Sequence, residues 1–378
     1  MTEAATYLSI DNTLPLESRG LKVARWLIKA WVFVVVLALW PYTANPAAPI
    51  KNLLTGWTMV AVCLAYLYAV VREHAGLRIT SATFLLIFLF LGLHVNSALQ
   101  SDFPAASLFS LRPWMGGLLL AVMAGNAFRT TQQLWNLILS VVLAVSCSSI
   151  YGYMQKFGLD PFPWSARNIE EYLGMPSTYA NPNFAGHTLM LASFMAAGLL
   201  LFKRKWICLF ELALVGSHLY YTHMRGARVA IAASLLLLAL YVVARGARRD
   251  PVRVAALTLA ALVSAGAGGT VAGTCIGPDK YDTESPRMWT PFEQRWFASE
   301  GKKNDHVHND ALETAAEAGF PGVAAYFALL LWGVLGGLVL AGQRADKSRT
   351  GLGYVLAACI GAFAVDGLFG FNLRVPAS

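Results

Sequence analysis

The sequence predicts an all-α, polytopic helical membrane protein, and three observations carry that reading. Of the 378 residues, 57% are hydrophobic and only 13% charged, whereas a soluble domain carries about 25% charged residues. Mean hydropathy is +0.53. Apolar runs of bilayer-crossing length recur along the whole chain, and only helices satisfy their own backbone groups in lipid. Eleven spans are predicted, at approximately 24–40, 53–71, 80–98, 113–128, 133–156, 184–202, 206–222, 227–244, 253–274, 321–341 and 351–370. The leader before the first run is polar and holds Glu3, Asp11 and Glu17, which favours an uncleaved first span over a cleaved signal peptide.

Basic residues set the orientation. With the N-terminus taken as cytoplasmic, the inner segments hold sixteen basic and six acidic residues, and the outer segments twelve and thirteen. The formal net charge of +8 is therefore a property of membrane topology. It is not a nucleic-acid footprint, because no basic patch is interleaved with aromatics for base stacking. Cys63, Cys147, Cys208 and Cys359 fall in spans, Cys275 lies outside, and no Cys-x-x-Cys occurs. Neither a disulfide framework nor a thiolate metal site is expected.

The chain reads as one integral membrane domain over 1–378, with no internal or inverted repeat. Most connections are short. The two long ones, 157–183 and 275–320, both fall on the outer, periplasmic side and direct function to that face. Away from the uncertain span ends, Lys29, Glu211 and Asp366 are the acidic and basic residues clearly placed within spans, few for a pump. Lys29 can snorkel to the inner headgroups, and Glu211 is expected to pair inside the bundle.

Three outer segments carry candidate chemistry. The turn THMRGARVA places Arg225 and Arg228 at a helix start, and their three-residue spacing puts both on one face. Two guanidiniums beside a helix N-terminus suit a diphosphate, although interfacial arginines also simply snorkel. The stretch HVHNDALETAAEAGFPG follows the longest loop. There the His308 ring can take a proton from a hydroxyl while Asn309 or Asp310 fixes its tautomer. His306, His308 and Asp310 could also ligate a metal, a weaker reading because no further ligand cluster accompanies them. ALETAAEAG should form a short amphipathic helix ended by Gly319, with Pro321 opening the next span. In YANPNFAGH, Asn181-Pro182-Asn183 marks a turn into a helix, with Asn183 as the N-cap. These groups could all serve as plain caps and solvated loop residues.

Taken in order, YGYMQKFGLDPF, STYANPNFAGH, the R-G-A-R turn and His308-Asn309, nine residues, Gly319, two residues, Gly322 resemble the bacterial O-antigen ligase/polymerase superfamily. The likeness spans roughly residues 151–375 and includes the closing FNLRVPAS. It implies a C-type glycosyltransferase membrane fold of about twelve spans, one more than the eleven read here, so either the sequence stops before a last span or this member lacks one. It also implies glycan transfer from undecaprenyl diphosphate at the periplasmic face of the bacterial inner membrane. His308 matches the essential histidine and Arg225 the R-G arginine. A further loop arginine is Arg287 or Arg295.

The expected reaction is direct displacement at the anomeric carbon with inversion. His308 acts as base and Arg225, Arg228 and Arg287 or Arg295 clamp the diphosphate, with no metal and no cofactor. Asn309, Asp310, Asn181, Asn183 and His306 support the site. The acceptor favoured is lipid A core, because the H-N…G-x-x-G form is the one attached to ligases. A polysaccharide polymerase and a protein O-oligosaccharyltransferase belong to the same superfamily. A lipid-linked glycan transporter or flippase is the alternative of another class, although the spans offer little polar path beyond Asn96, Asn136 and Gln155.

Overall fold

A computed structural model describes residues 18–42, 46–162, 174–246, 309–343 and 346–368, and among these residues every regular element is helical. The order is α1 (Arg19–Leu37), α2 (Ala48–Glu73), α3 (Ser81–Gln100), α4 (Pro104–Ser110), α5 (Arg112–Ala127) and α6 (Thr131–Lys156). A 3-10 turn (Ser177–Tyr179) follows, then α7 (Pro182–Lys203), α8 (Ile207–Tyr221), α9 (Arg225–Gly246), α10 (Asp310–Gly342) and α11 (Lys347–Asp366). Each predicted span but 253–274, which lies outside the described residues, coincides with one of these helices.

Among the described residues, seven stretches are long and apolar enough to cross a membrane: α2, α3, α4–α5 together, α6, α7, α10 and α11. Helix α8 and the apolar part of α9 are shorter. Large apolar side chains such as Trp57, Phe88, Leu201 and Phe210 are 60–70% exposed or more on outward faces, which acyl chains accept and water does not. The helices are not equally central. In α7 61% of the apolar window is buried and in α11 56%, against 17% in α2. The interior is therefore built around α7 and α11, with α6, α8 and α9 closing on them and α1 packing against α6, through Val36, Val142, Leu189, Val215, Ala230 and Leu352.

Local sequence sets the boundaries. Thr130 and Gln133 close a capping box at the start of α6. Asp346 caps α11 through the Ser348 amide. Helix α10 contains a break where expected: Gly319 sits at φ 68°, ψ −175°, so a short helix ends there and the long apolar helix begins with Pro321 in its first turn. Small residues bring α10 against α11. A Cβ on Gly353 would lie 2.3 Å from the Ala341 nitrogen and 2.5 Å from the Gly337 oxygen. That close approach is how helices associate where lipid removes the hydrophobic drive between them.

Successive helices return to two ends of the bundle. At one, the Glu73 carboxylate accepts the Arg19 and Gly20 amides at 2.9 and 3.0 Å and contacts the Ser18 hydroxyl. There too Arg129 reaches the Gly76 carbonyl at 3.0 Å and Lys203 reaches Gln132 at 3.0 Å. The other end holds Lys51, the turn 177–179, Asn181, the start of α9, Asn309 and Gly367. These are called the Glu73 end and the Asp310 end.

Candidate functional site

Helix α7 enters the Asp310 end through Asn181, whose Oδ1 accepts the Asn183 amide at 2.8 Å. This corrects the expectation that Asn183 is the N-cap. Pro182 has no N–H, which only the first helical position tolerates, so the cap must precede it. Asn183 instead lies exposed in the first turn. The residues leading to Asn181 are fixed from several helices. Ser148 of α6 meets the hydroxyls of Ser177 and Thr178 at 2.8 and 2.7 Å. Thr178 donates to the Val36 carbonyl of α1 at 2.7 Å. His218 of α8 bonds Ser149 at 2.9 Å and the Met175 carbonyl at 3.2 Å.

Lys51, from the first turn of α2, is 1% exposed. Its Nζ donates to the Val36 carbonyl at 3.0 Å and contacts that of Val35, carbonyls with no helical partner at the end of α1. It also lies 5.2 Å from the Tyr179 ring centre. Burial pushes the Tyr179 phenol well above its usual range.

Helix α10 begins at Asn309. Its Oδ1 accepts the Leu312 amide and its Nδ2 donates to the Leu368 carbonyl, both at 3.0 Å. The next residue, Asp310, donates its amide to the Gly367 carbonyl at 2.8 Å. Asp366, the residue before Gly367, places its carboxylate against Nδ1 of His187 on α7. Three consecutive residues at the end of α11 therefore engage both of the motifs read from sequence. Gly367 permits it: a Cβ there would stand 2.8 Å from Asp310 Oδ2 and 3.1 Å from the Tyr326 hydroxyl.

The short helix 310–318 turns its acidic face inward. Asp310, Glu313 and Glu317 are 2%, 1% and 0% exposed. Their spacings of three and four residues put them on one face. Acidic groups in a first turn suit the positive end of the helix dipole. Ser97 of α3 bonds the Glu317 carbonyl. Beside it His94, held by the Phe90 carbonyl at 2.8 Å, packs between the rings of Phe90 and Trp114 at 4.4 and 4.7 Å. An amphipathic helix was expected here, and the charged side is the buried one.

The remaining expected residues divide clearly. His306, His308, Arg287 and Arg295 lie outside the described residues. Arg225 is the first residue of α9. Arg228 is exposed on that helix, its guanidinium 5.8 Å from the ring centre of Tyr220. Asn181, Asn309 and Asp310 are at the same end of the bundle as the start of α9. Glu211 is buried in α8, one turn from Cys208. Sequence reasoning passed over His187, His218 and Lys51. His187 stood inside the quoted YANPNFAGH, and an imidazole on an otherwise apolar helix was the available signal. Among the described residues no group of three or more His, Cys, Asp or Glu could hold a metal. No family model and no curated protein matches the chain.

The arrangement has a chemical consequence. Asn309 follows His308 directly and is fixed by its own helix and by α11. The same end also holds the N-termini of α7 and α9, whose dipole ends favour an anion.

Proposed function

We propose that this chain transfers a glycan from undecaprenyl diphosphate to an acceptor hydroxyl at the periplasmic face of the bacterial inner membrane, as an O-antigen ligase-type glycosyltransferase. The observation that carries this reading is the meeting of separated motifs at one end. The helix entered through Asn181-Pro182-Asn183 and the helix entered through Asn309 are both held by residues 366–368, and the R-G-A-R turn opens α9 at that end. In the reaction the acceptor oxygen attacks the anomeric carbon as the bond from that carbon to the diphosphate oxygen breaks. The hydroxyl proton passes to His308. Undecaprenyl diphosphate leaves with its charge stabilised by Arg225, Arg228 and Arg287 or Arg295. Lipid A core is the favoured acceptor.

The test uses purified full-length protein in nanodiscs, given lipid-linked glycan with lipid A core, with a second lipid-linked glycan, or with a protein acceptor. Release of undecaprenyl diphosphate should require one of these acceptors, and which one separates ligase, polymerase and protein transferase. Movement of the lipid-linked glycan with no diphosphate released would instead make the protein a flippase. His308→Ala should lower transfer at least ~100-fold in a folded protein, the contribution of a lost general base. Full turnover by that variant removes the assigned role. Arg225→Lys should cost about 10-fold or more, since an ammonium cannot reproduce the bidentate fork.

A further inference from the structure

Two helices that no local sequence pattern connects are joined by one buried contact. His187 lies on α7, little more than a turn below Asn183, and Asp366 is the last residue of α11; they are 2% and 0% exposed. From Asp366 the chain runs without interruption into Gly367, whose carbonyl takes the Asp310 amide, and Leu368, whose carbonyl takes the Asn309 side chain.

A carboxylate in an apolar interior is costly unless it is hydrogen-bonded. The contact with His187 offsets that cost for one particular placement of Asp366, and so for one placement of the backbone that follows. A rotation of α11 by a fraction of a turn would break the contact and carry both carbonyls away from α10. Glycine at 367 lets this segment lie close, because any side chain there would strike Asp310 or Tyr326. The hydroxyl of Tyr326 on the long arm of α10 and the Asp310 carboxylate both approach this glycine, so the α10 break at Gly319 folds its two arms around the strap.

We infer that the buried His187–Asp366 contact is a positioning device that, through the strap Asp366–Gly367–Leu368, fixes Asn309 and Asp310 and hence the point from which His308 reaches the substrate. The part concerning His308 rests on the proposed glycan transfer; the strap itself does not. His187 and Asp366 are positioning residues in this scheme, with no contact to the reacting atoms assigned to them.

The test separates the two parts with measurements that do not share a readout. Hydrogen–deuterium exchange on the full chain in nanodiscs should show the 309–313 amides protected in the parent. Asp366→Asn, nearly isosteric, and His187→Ala should both expose those amides at least 10-fold while the middles of α6 and α7 keep their protection. His187→Gln, which retains an N–H donor, should restore most of the protection. Unchanged protection at 309–313 in both disrupting variants overturns the strap, and so does a uniform loosening of every helix, which would mark an ordinary fold contact. On the transfer assay, Asp366→Asn should lower kcat at least 10-fold and shift the acceptor KM less than 3-fold. A strap that loosens with kcat unaffected overturns the positioning role. If the parent transfers no glycan while the strap loosens as expected, the transfer reading fails and the strap stands.

Discussion

The two ends of the bundle solve the same problem differently. At the Glu73 end, polar side chains bond main-chain groups left over where helices stop. Glu73 takes the first amides of α1, Asn126 brackets the Arg78 peptide at 2.6 and 3.0 Å, and Arg25 donates to the Ala127 carbonyl at 2.9 Å. Glu73 lies at the rim, whereas Asn126 and Arg25 are buried, at 3% and 8% exposed. At the Glu73 end Tyr66 also meets Asn126 in the interior, while at the Asp310 end buried side chains pair as His187 with Asp366, Ser148 with Ser177 and Thr178, and His218 with Ser149. Each such group costs free energy to bury, and short capped turns would close the helices more cheaply. On the proposed function, the buried side-chain pairs of the Asp310 end specify geometry there beyond what folding needs.

The sharpest break of that comparison is Lys51→Met. The substitution keeps an apolar stem of similar length and removes the ammonium from the Val35 and Val36 carbonyls, leaving buried acceptors short of a donor. Stability should fall by about 2 kcal/mol, the cost of stranding such groups, read as a shift in chemical unfolding of the nanodisc-embedded protein. Because Lys51 also backs Tyr179, the turn 177–179 should lose protease resistance. A variant as stable as the parent would mean that the buried ammonium is itself as costly as the bonds it makes, and the contrast between the ends would weaken.

Two helix caps give a matched pair. Asn309→Ala removes the acceptor for the Leu312 amide and the donor to Leu368; Asp346→Ala removes the acceptor for the Ser348 amide at the opposite end. Each should lower stability by about 1 kcal/mol. Only Asn309→Ala should also depress glycan transfer. Equal effects on transfer would show that both ends contribute alike, and the functional half of the comparison would be lost.

How much of this was legible in the chain follows from the range of each interaction. Helix boundaries depend on neighbours, so Pro182, Gly319 and Pro321 announced them. The cap at the first of these was misplaced by two residues because the constraint from proline was not applied to its predecessor. Helix α4, only seven residues long, escaped because a short apolar piece beside a span has no periodicity of its own. Lys51 was counted among outer loop bases; its burial depends on α1 ending beside α2 and on the turn 177–179 packing over both. The His187–Asp366 contact joins residues 179 positions apart. No pattern within either helix encodes the other, and an acidic residue near a span end reads equally well as a headgroup contact.

Lys203→Met should produce the smallest effect and is the direct counterpart of Lys51→Met. Lys203 ends α7 at the Glu73 end, where its ammonium bonds Gln132 at 3.0 Å and Ser348 at 3.2 Å. Water or headgroups can replace both partners, and the favourable position at a helix C-terminus is screened by salt. The loss should stay within about 0.5 kcal/mol, as for other surface substitutions, and transfer should be unchanged. The same chemical change thus probes two environments, and the difference between the two variants measures what burial adds. Were Lys203→Met as damaging as Lys51→Met, the polar groups of the Glu73 end would be under equal constraint, and the proposal that function sits at the Asp310 end would have to rest on something other than where polar groups are buried.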